Sequence, residues 1–150
     1  MEIKMEALAV VISPDNGNIF VMLGASNGEL LPVRIEIYAA RAIQIELKKI
    51  PFSRPLTHEL IRRVIAQLKA VLRKIVITDV SRSYALLYLE QNGATIAADA
   101  APGDAIALAL RTNAPIYAES KVLEKYGLSY PEDRTLKWFE LLDADDLPKF

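Results

Sequence analysis

The spacing of apolar residues changes from a strand pattern to a helical one along the chain, and this change constrains the fold most. Three short apolar runs, at residues 7–12, 19–23 and 30–37, are separated by the turn-rich segments SPDNGN and GASNG. Such runs are typical of β-strands, and Pro32 favours an edge position or an irregular start for the third. In the next segment, residues 38–50, the apolar residues recur at helical spacing.

The segment THELIRRVIAQLKAVLRK, residues 57–74, has the strongest helical pattern in the sequence. Its apolar side chains form one stripe, and most of the basic side chains lie off that stripe. The stripe consists of Leu60, Ile61, Val64, Ile65, Leu68, Val71 and Leu72. We therefore predict one amphipathic helix that extends to Lys74.

The second half of the chain has the same order of patterns. Apolar runs at residues 75–80, 84–90 and 94–99 predict three strands, and PGDAIALALRT and SKVLEKYGL predict two helices around a short APIYA strand. This order predicts an α+β fold, a single domain with two β3-α2 repeats at about 7–72 and 75–127, around a shared mixed or barrel-like sheet. The domain would span residues 1–128, followed by a C-terminal helical tail at 129–150 that includes a TLKWFELL helix.

Composition narrows the possible functions. The chain has 150 residues, no cysteine, one histidine and a formal net charge of −1. The lack of cysteine excludes disulfides, thiolate catalysis and Cys-ligated metal sites. No apolar stretch reaches the length of a membrane helix and the N-terminus does not have the pattern of a signal peptide, so we expect a cytoplasmic protein without membrane contact. Near-neutral charge means that nucleic-acid binding needs a local basic patch.

The segment SRPLTHELI, residues 53–61, holds the single histidine, His58. One interpretation is a helix start in which Thr57 is the N-cap and His58 and Glu59 face solvent. The other is an anion site, in which Arg54, His58 and the helix N-terminus bind a phosphate.

The segment DAAPGDAIALAL, residues 99–110, carries two carboxylates at a strand-to-helix junction. Asp99 and Asp104 either stabilise the turn and the helix dipole, or together hold Mg²⁺ or Mn²⁺. Common catalytic motifs such as GxxxxGK[ST], GxGxxG, HExxH and GxSxG are absent from the sequence. The basic residues of the helices are either a solvated face or a weak nucleic-acid track without interleaved aromatic residues.

Two segments, RPLTHELI and DAIALALRTNAPIYA, closely resemble the bifunctional nuclease family, in which R-P-L-T-H-D-L precedes D-x-R-P-S-D-A-I-A-L-A-L-R-x-x-A-P-I-Y-V. LLPVRI and the acidic end WFELLDADDLPKF are also similar to family segments, so the resemblance spans about residues 7–150. Two departures remove polar groups. The family's R-P-S-D is Ala101-Pro102-Gly103-Asp104 here, and its G-x-x-E-A is Glu36-Ile37-Tyr38-Ala39-Ala40.

The resemblance implies a duplicated α+β fold that often self-associates, and DNase and RNase activity. The first hypothesis is therefore a metal-assisted nuclease acting on DNA or RNA. In this hypothesis His58 is a general acid or base and Arg54 binds the phosphate. Glu59, Asp99 and Asp104 are ligands of Mg²⁺ or Mn²⁺, and Glu59 and Asp104 are also catalytic residues. No organic cofactor is expected. The alternative is a non-catalytic module that is oligomeric or binds a ligand or another protein. A single site requires Arg54, His58, Asp99 and Asp104 to meet in one cleft.

Overall fold

The computed structural model describes residues 1–51, 53–54 and 56–128, and the backbone of residues 140–141. The elements follow the order β-β-β-α-α-β-β-β-α-β-α-β. They are β1 (Glu2–Ile12), β2 (Ile19–Ala25), β3 (Leu30–Ile35), α1 (Ile37–Leu47), α2 (Thr57–Gln67), β4 (Val71–Asp79), β5 (Tyr84–Gln91), β6 (Ala94–Ala100), α3 (Pro102–Thr112), β7 (Ile116–Glu119), α4 (Ser120–Tyr126) and β8 (Glu140–Leu141). The α+β class predicted from the sequence is confirmed.

The described strands form one mixed sheet in the order β3-β2-β1-β7-β4-β5-β6, with β8 paired to β1 beside this path. Each meander is antiparallel, and among the described strands only β4 and β7 pair in parallel. β3 and β6 lie at the two ends of the path, so the sheet of described strands is open and mixed rather than barrel-like. Pro32 accordingly lies in an end strand, where its missing N–H costs no sheet hydrogen bond.

Helices α1 and α3 contribute most of the helical side of the core. Ala40, Ile43 and Ile106 are fully buried against inward-facing strand residues such as Leu31 and Ile75. Pro102 begins α3, where its missing N–H leaves no intrahelical bond unmade, as the sequence indicates. No helix in the described part of the chain is long and apolar enough to cross a membrane.

The predicted helix at 57–74 is wrong in its last part. The helix α2 ends at Gln67, and Val71–Lys74 belong to β4, where Val71 pairs with Glu90 and Leu72 with Leu89. The helical spacing of Leu68, Val71 and Leu72 is equally compatible with two elements joined by a turn. The turn residue Lys69 has a φ of 57°, in the left-handed region that ends a helix.

The apolar stripe of α2 also does not face the core, although the apolar stripe of an amphipathic helix in a single domain usually does. Leu60, Ile61, Val64 and Leu68 are between 38% and 60% exposed. Only His58 and Glu59 of this helix are buried, so α2 attaches to the body through polar side chains at its first turn.

The duplication stays a prediction. Both halves contain a three-stranded meander followed by a helix, but β7 lies between the two helices of the second half. The tail helix predicted at 135–142 lies outside the described residues, apart from Glu140 and Leu141, whose backbone forms a strand with β1.

Candidate functional site

The first turn of α2 is the point where this helix meets α3. The helix begins at Thr57 with Leu56 in the N-cap position and without a side-chain cap hydrogen bond. The prediction that Thr57 is the cap is therefore wrong, and so is the prediction that His58 and Glu59 face solvent. Both are buried, because the first turn packs onto α3, where charged partners compensate for their lost hydration.

His58 and Asp104 form a hydrogen-bonded pair across the two helices. His58 Nε2 lies 2.8 Å from Asp104 Oδ1, although 46 positions separate them in the sequence. Because the carboxylate can only accept, Nε2 carries the hydrogen and donates it, which leaves Nδ1 as the ring nitrogen that exchanges a proton. The hydrogen bond from His58 lowers the pKa of Asp104 below its ordinary value. The ionised carboxylate accepts the hydrogen bond and so orients the ring.

The two members of the pair differ in exposure. The side chain of His58 is 9% exposed, whereas that of Asp104 is 56% exposed. Asp104 is therefore the more accessible member of the pair, and the ring of His58 is largely covered by its neighbours.

Glu59 is surrounded by cations rather than by other carboxylates. Its Oε1 accepts hydrogen bonds from Arg62 Nε at 3.0 Å and Arg63 Nε at 3.3 Å. The hydrogen bond from Arg62 lowers the pKa of Glu59, and the two arginine charges act in the same direction against the effect of burial. This carboxylate does not fit the role of a metal ligand, because its charge is already compensated.

Arg111 connects three helices and was missed by the reasoning from sequence. Its side chain is 1% exposed, and its Nε lies 3.9 Å from Glu46 Oε1 of α1 and 3.9 Å from Glu59 Oε2 of α2. Its Nη1 and Nη2 donate to the carbonyl oxygens of Ala107 at 3.0 Å and Ala42 at 3.1 Å. Burial lowers the pKa of Arg111. In the sequence, Arg111 follows Asp104 by seven positions, which puts the two residues on one face of a helix and so indicates that they lie on the same side of α3.

The two remaining predicted residues lie on exposed parts of the chain. Arg54 is exposed in the segment that leads into α2, and Asp99 is exposed near the end of β6. Across residues 1–51, 53–54 and 56–128, no three His, Asp or Glu side chains are grouped as for a metal ion. The structure thus brings together His58 and Asp104 of the predicted set, with Glu59 beside them in a separate cluster of ion pairs.

Two positions at which the sequence departs from the resembled pattern lie against each other. A Cβ added to Gly103 would be 2.7 Å from Cβ of Ala39, closer than carbon atoms approach without displacement. The glutamate and serine of the pattern are thus replaced by the small residues Ala39 and Gly103, which let α1 and α3 pack closely. Polar groups are lost here in favour of helix contact.

A cavity of about 640 Å³ lies elsewhere, along β1 and β2. Its lining includes Lys4, Glu6, Leu8, Met22 and Leu30, and neither His58 nor Asp104 contributes to it. The His58–Asp104 pair, which joins α2 and α3, therefore lies outside this cavity.

The sequence profile of the bifunctional nuclease domain matches residues 21–131 of the chain. Two relatives are the uncharacterized proteins MT1877 and Rv1829 of Mycobacterium tuberculosis strains CDC 1551 and H37Rv, each 34% identical over 142 residues. Each alignment covers 93% of this chain and 85% of the relative. The matched domain includes α1, α2 and α3, the three helices that position His58, Asp104 and Arg111.

Proposed function

The chain belongs to the bifunctional nuclease domain family, and from that premise we propose that it cleaves phosphodiester bonds of DNA or RNA at the His58–Asp104 pair. In this proposal Nδ1 of His58 takes the proton of an attacking water, the water oxygen bonds to phosphorus, and the sugar oxygen leaves and is protonated by solvent. Asp104 orients the imidazole and stabilises the imidazolium that forms. Arg54, exposed ahead of α2, is the proposed contact of a non-bridging phosphate oxygen.

One observation carries the proposal. His58 comes from the RPLTHELI segment and Asp104 from the DAIALALRTNAPIYA segment, and the two side chains are 2.8 Å apart. Histidine held by a carboxylate is a common arrangement for general acid–base catalysis.

Divalent-metal assistance remains a part of the proposal that rests on the family resemblance. Glu59 is compensated by arginines, so the carboxylates left for Mg²⁺ or Mn²⁺ are Asp99 and Asp104. The metal would supply charge neutralisation at the scissile phosphate. Titration of the protein with each metal by calorimetry, in parent and Asp99→Asn, tests this part by itself.

The cleavage experiment compares the parent with His58→Ala and Asp104→Asn on single-stranded and duplex DNA and RNA. We expect each variant to lose cleavage by about 10²- to 10⁴-fold, the usual contribution of general acid–base catalysis. Asp104→Asn keeps shape at a half-exposed position, so it tests the chemistry even if His58→Ala folds poorly. Far-ultraviolet circular dichroism checks folding.

An exposed ion-pair residue on the sheet, Arg73, provides the control. Arg73→Gln should cleave as the parent does. Equal cleavage by parent, His58→Ala and Asp104→Asn would identify a contaminating nuclease and exclude the proposed site.

A second candidate function, a non-catalytic module that self-associates, is favoured by the exposed apolar stripe of α2. Three large apolar side chains of this helix, Leu60, Ile61 and Val64, and that of Leu68 directly after it remain exposed. Stripes of this kind mark protein interfaces. We propose that a second copy of the chain covers the stripe, and sedimentation velocity of the purified protein tests the association.

A further inference from the structure

The contacts between α1 and α3 pair the start of one helix with the start of the other, and later positions with later positions. Gly103 at the start of α3 lies against Ala39 at the start of α1. Further along both helices, Arg111 of α3 donates to the carbonyl oxygen of Ala42 and approaches Glu46. The two helices therefore run in the same direction and meet at two levels: a first level at their N-terminal turns, and a second level where the last turn of α3 meets the middle and the end of α1.

The first turn of α2 touches both levels. His58 binds Asp104 at the first level, and Glu59 lies 3.9 Å from Arg111 at the second. The second level is a buried cluster of charges. The first level is open, because the side chain of Asp104 is half-exposed.

Tyr38 is the α1 residue at the open level. It directly precedes Ala39, and its spacing of four and eight from Ala42 and Glu46 puts it on the same helix side as these two contacts of Arg111. Its side chain is 65% exposed, which is unusual for a large aromatic residue in a helix that otherwise buries most of its positions. Tyr38 and Asp104 each lie one residue from the Ala39–Gly103 contact, so an exposed aromatic ring and the His58–Asp104 pair occur at the same level of the two helices.

We propose that Tyr38 stacks an unpaired nucleobase of a single-stranded substrate next to the His58–Asp104 pair. This inference rests on the proposed function and specifies its substrate class. An exposed ring can stack on any base that is free of its partner strand, whereas the bases of a duplex are covered by their neighbours. The near-neutral chain, with a net charge of −1, offers little general attraction for phosphates, so stacking becomes a substantial part of binding.

The binding test uses phosphorothioate-linked oligonucleotides, which resist cleavage, and fluorescence anisotropy with the full chain. The probes are a single strand, the same strand with abasic sugars, and a duplex of the same sequence. We expect Tyr38→Ala to weaken single-strand binding by about 5- to 150-fold, the range of one lost base–aromatic stack. Tyr38→Phe should keep the affinity within about threefold, because the ring is retained.

A matched control comes from Tyr88, which alternates with the core residues Leu87 and Leu89 and so faces the sheet side away from α3. Tyr88→Ala should bind the single strand as the parent does. Abasic strand should bind weakly and equally to parent and Tyr38→Ala.

The outcomes separate the two proposals. Binding that depends on Tyr38 without any cleavage would support stacking and overturn the nuclease. Cleavage that depends on His58, with equal binding by parent and Tyr38→Ala, would overturn stacking alone. Duplex binding as tight as single-strand binding, or no binding of any probe, would also overturn stacking.

Discussion

At the scale of single residues, two carboxylates at the contact between α2 and α3, Asp104 and Glu59, have different roles. Asp104 is half-exposed and faces a histidine, whereas Glu59 is buried and faces three arginines. Adjacent positions 58 and 59 thus belong to different networks. The open pair is suited to proton transfer, and the buried cluster fixes the attachment of α2 to α3, which keeps His58 in place.

Replacement of Glu59 tests the buried cluster. Glu59→Gln removes one compensating charge from the buried Arg111, and we expect the free energy of unfolding to fall by about 3 kcal/mol at pH 7, since removing one partner leaves a buried charge poorly compensated. Urea unfolding measures this loss. Glu90→Gln, which breaks the exposed pair with Arg73, is the control and should change stability little.

The contribution of Glu59 to the free energy of unfolding should also depend on pH. Arginine neighbours lower the pKa of Glu59 from its ordinary value of 4.5 in the folded state. The unfolded chain therefore binds more protons just below pH 4.5, so the contribution of Glu59 is complete above that pH and is lost as the pH falls through the lowered pKa. The stability difference between parent and Glu59→Gln should shrink as the pH falls below about 4.5, and an unchanged difference would contradict the role of the charge.

At the scale of elements, the end of α2 shows how a short hydrogen-bond pattern decides between helix and strand. Lys69 N donates to Ala66 O at 3.0 Å and Ala70 N to Ile65 O at 3.1 Å, which is a Schellman ending with Lys69 in the left-handed position. A lysine there is strained, and the sequence lacks the glycine that usually marks such an end. This is why the helix was expected to continue to Lys74.

Lys69→Gly should relieve this strain. We expect a gain in the free energy of unfolding of up to about 1 kcal/mol, seen as a higher melting temperature, because glycine adopts positive φ without a Cβ clash. Ala66→Gly, at an exposed position inside α2, is the opposite control and should destabilise by about 1 kcal/mol. A loss of stability in Lys69→Gly would contradict the assigned ending.

At the scale of the whole molecule, two meanders joined through β7 form the sheet, and α1 and α3 cover it. The helix α2 departs from this arrangement, since only its first turn is buried. An isolated domain gains nothing from a stripe of apolar side chains facing water, which is the physical reason for the self-association proposed above.

Val64→Glu tests that association. If a second copy covers α2, a charge at the centre of the stripe should shift the sedimentation coefficient from that of an oligomer to that of a monomer without loss of helical signal. Ile96→Glu, at a similarly exposed apolar position on β6, should leave the association unchanged. A parent that sediments as a monomer at every concentration would rule this interface out.

The sequence by itself determined most strands and helices, the α+β class, the family and the two segments that hold His58 and Asp104, because these depend on local spacing and on residue identity. Tertiary structure alone decided which of these residues meet. Asp104 reaches His58 and Arg111 reaches Glu59 only because α2 lies across α3. In α2 the polar residues of the first turn are buried and the apolar stripe is exposed, which is the opposite of what the hydrophobic periodicity predicts. Periodicity says which residues share a face, whereas the packing of the other elements determines which face is covered.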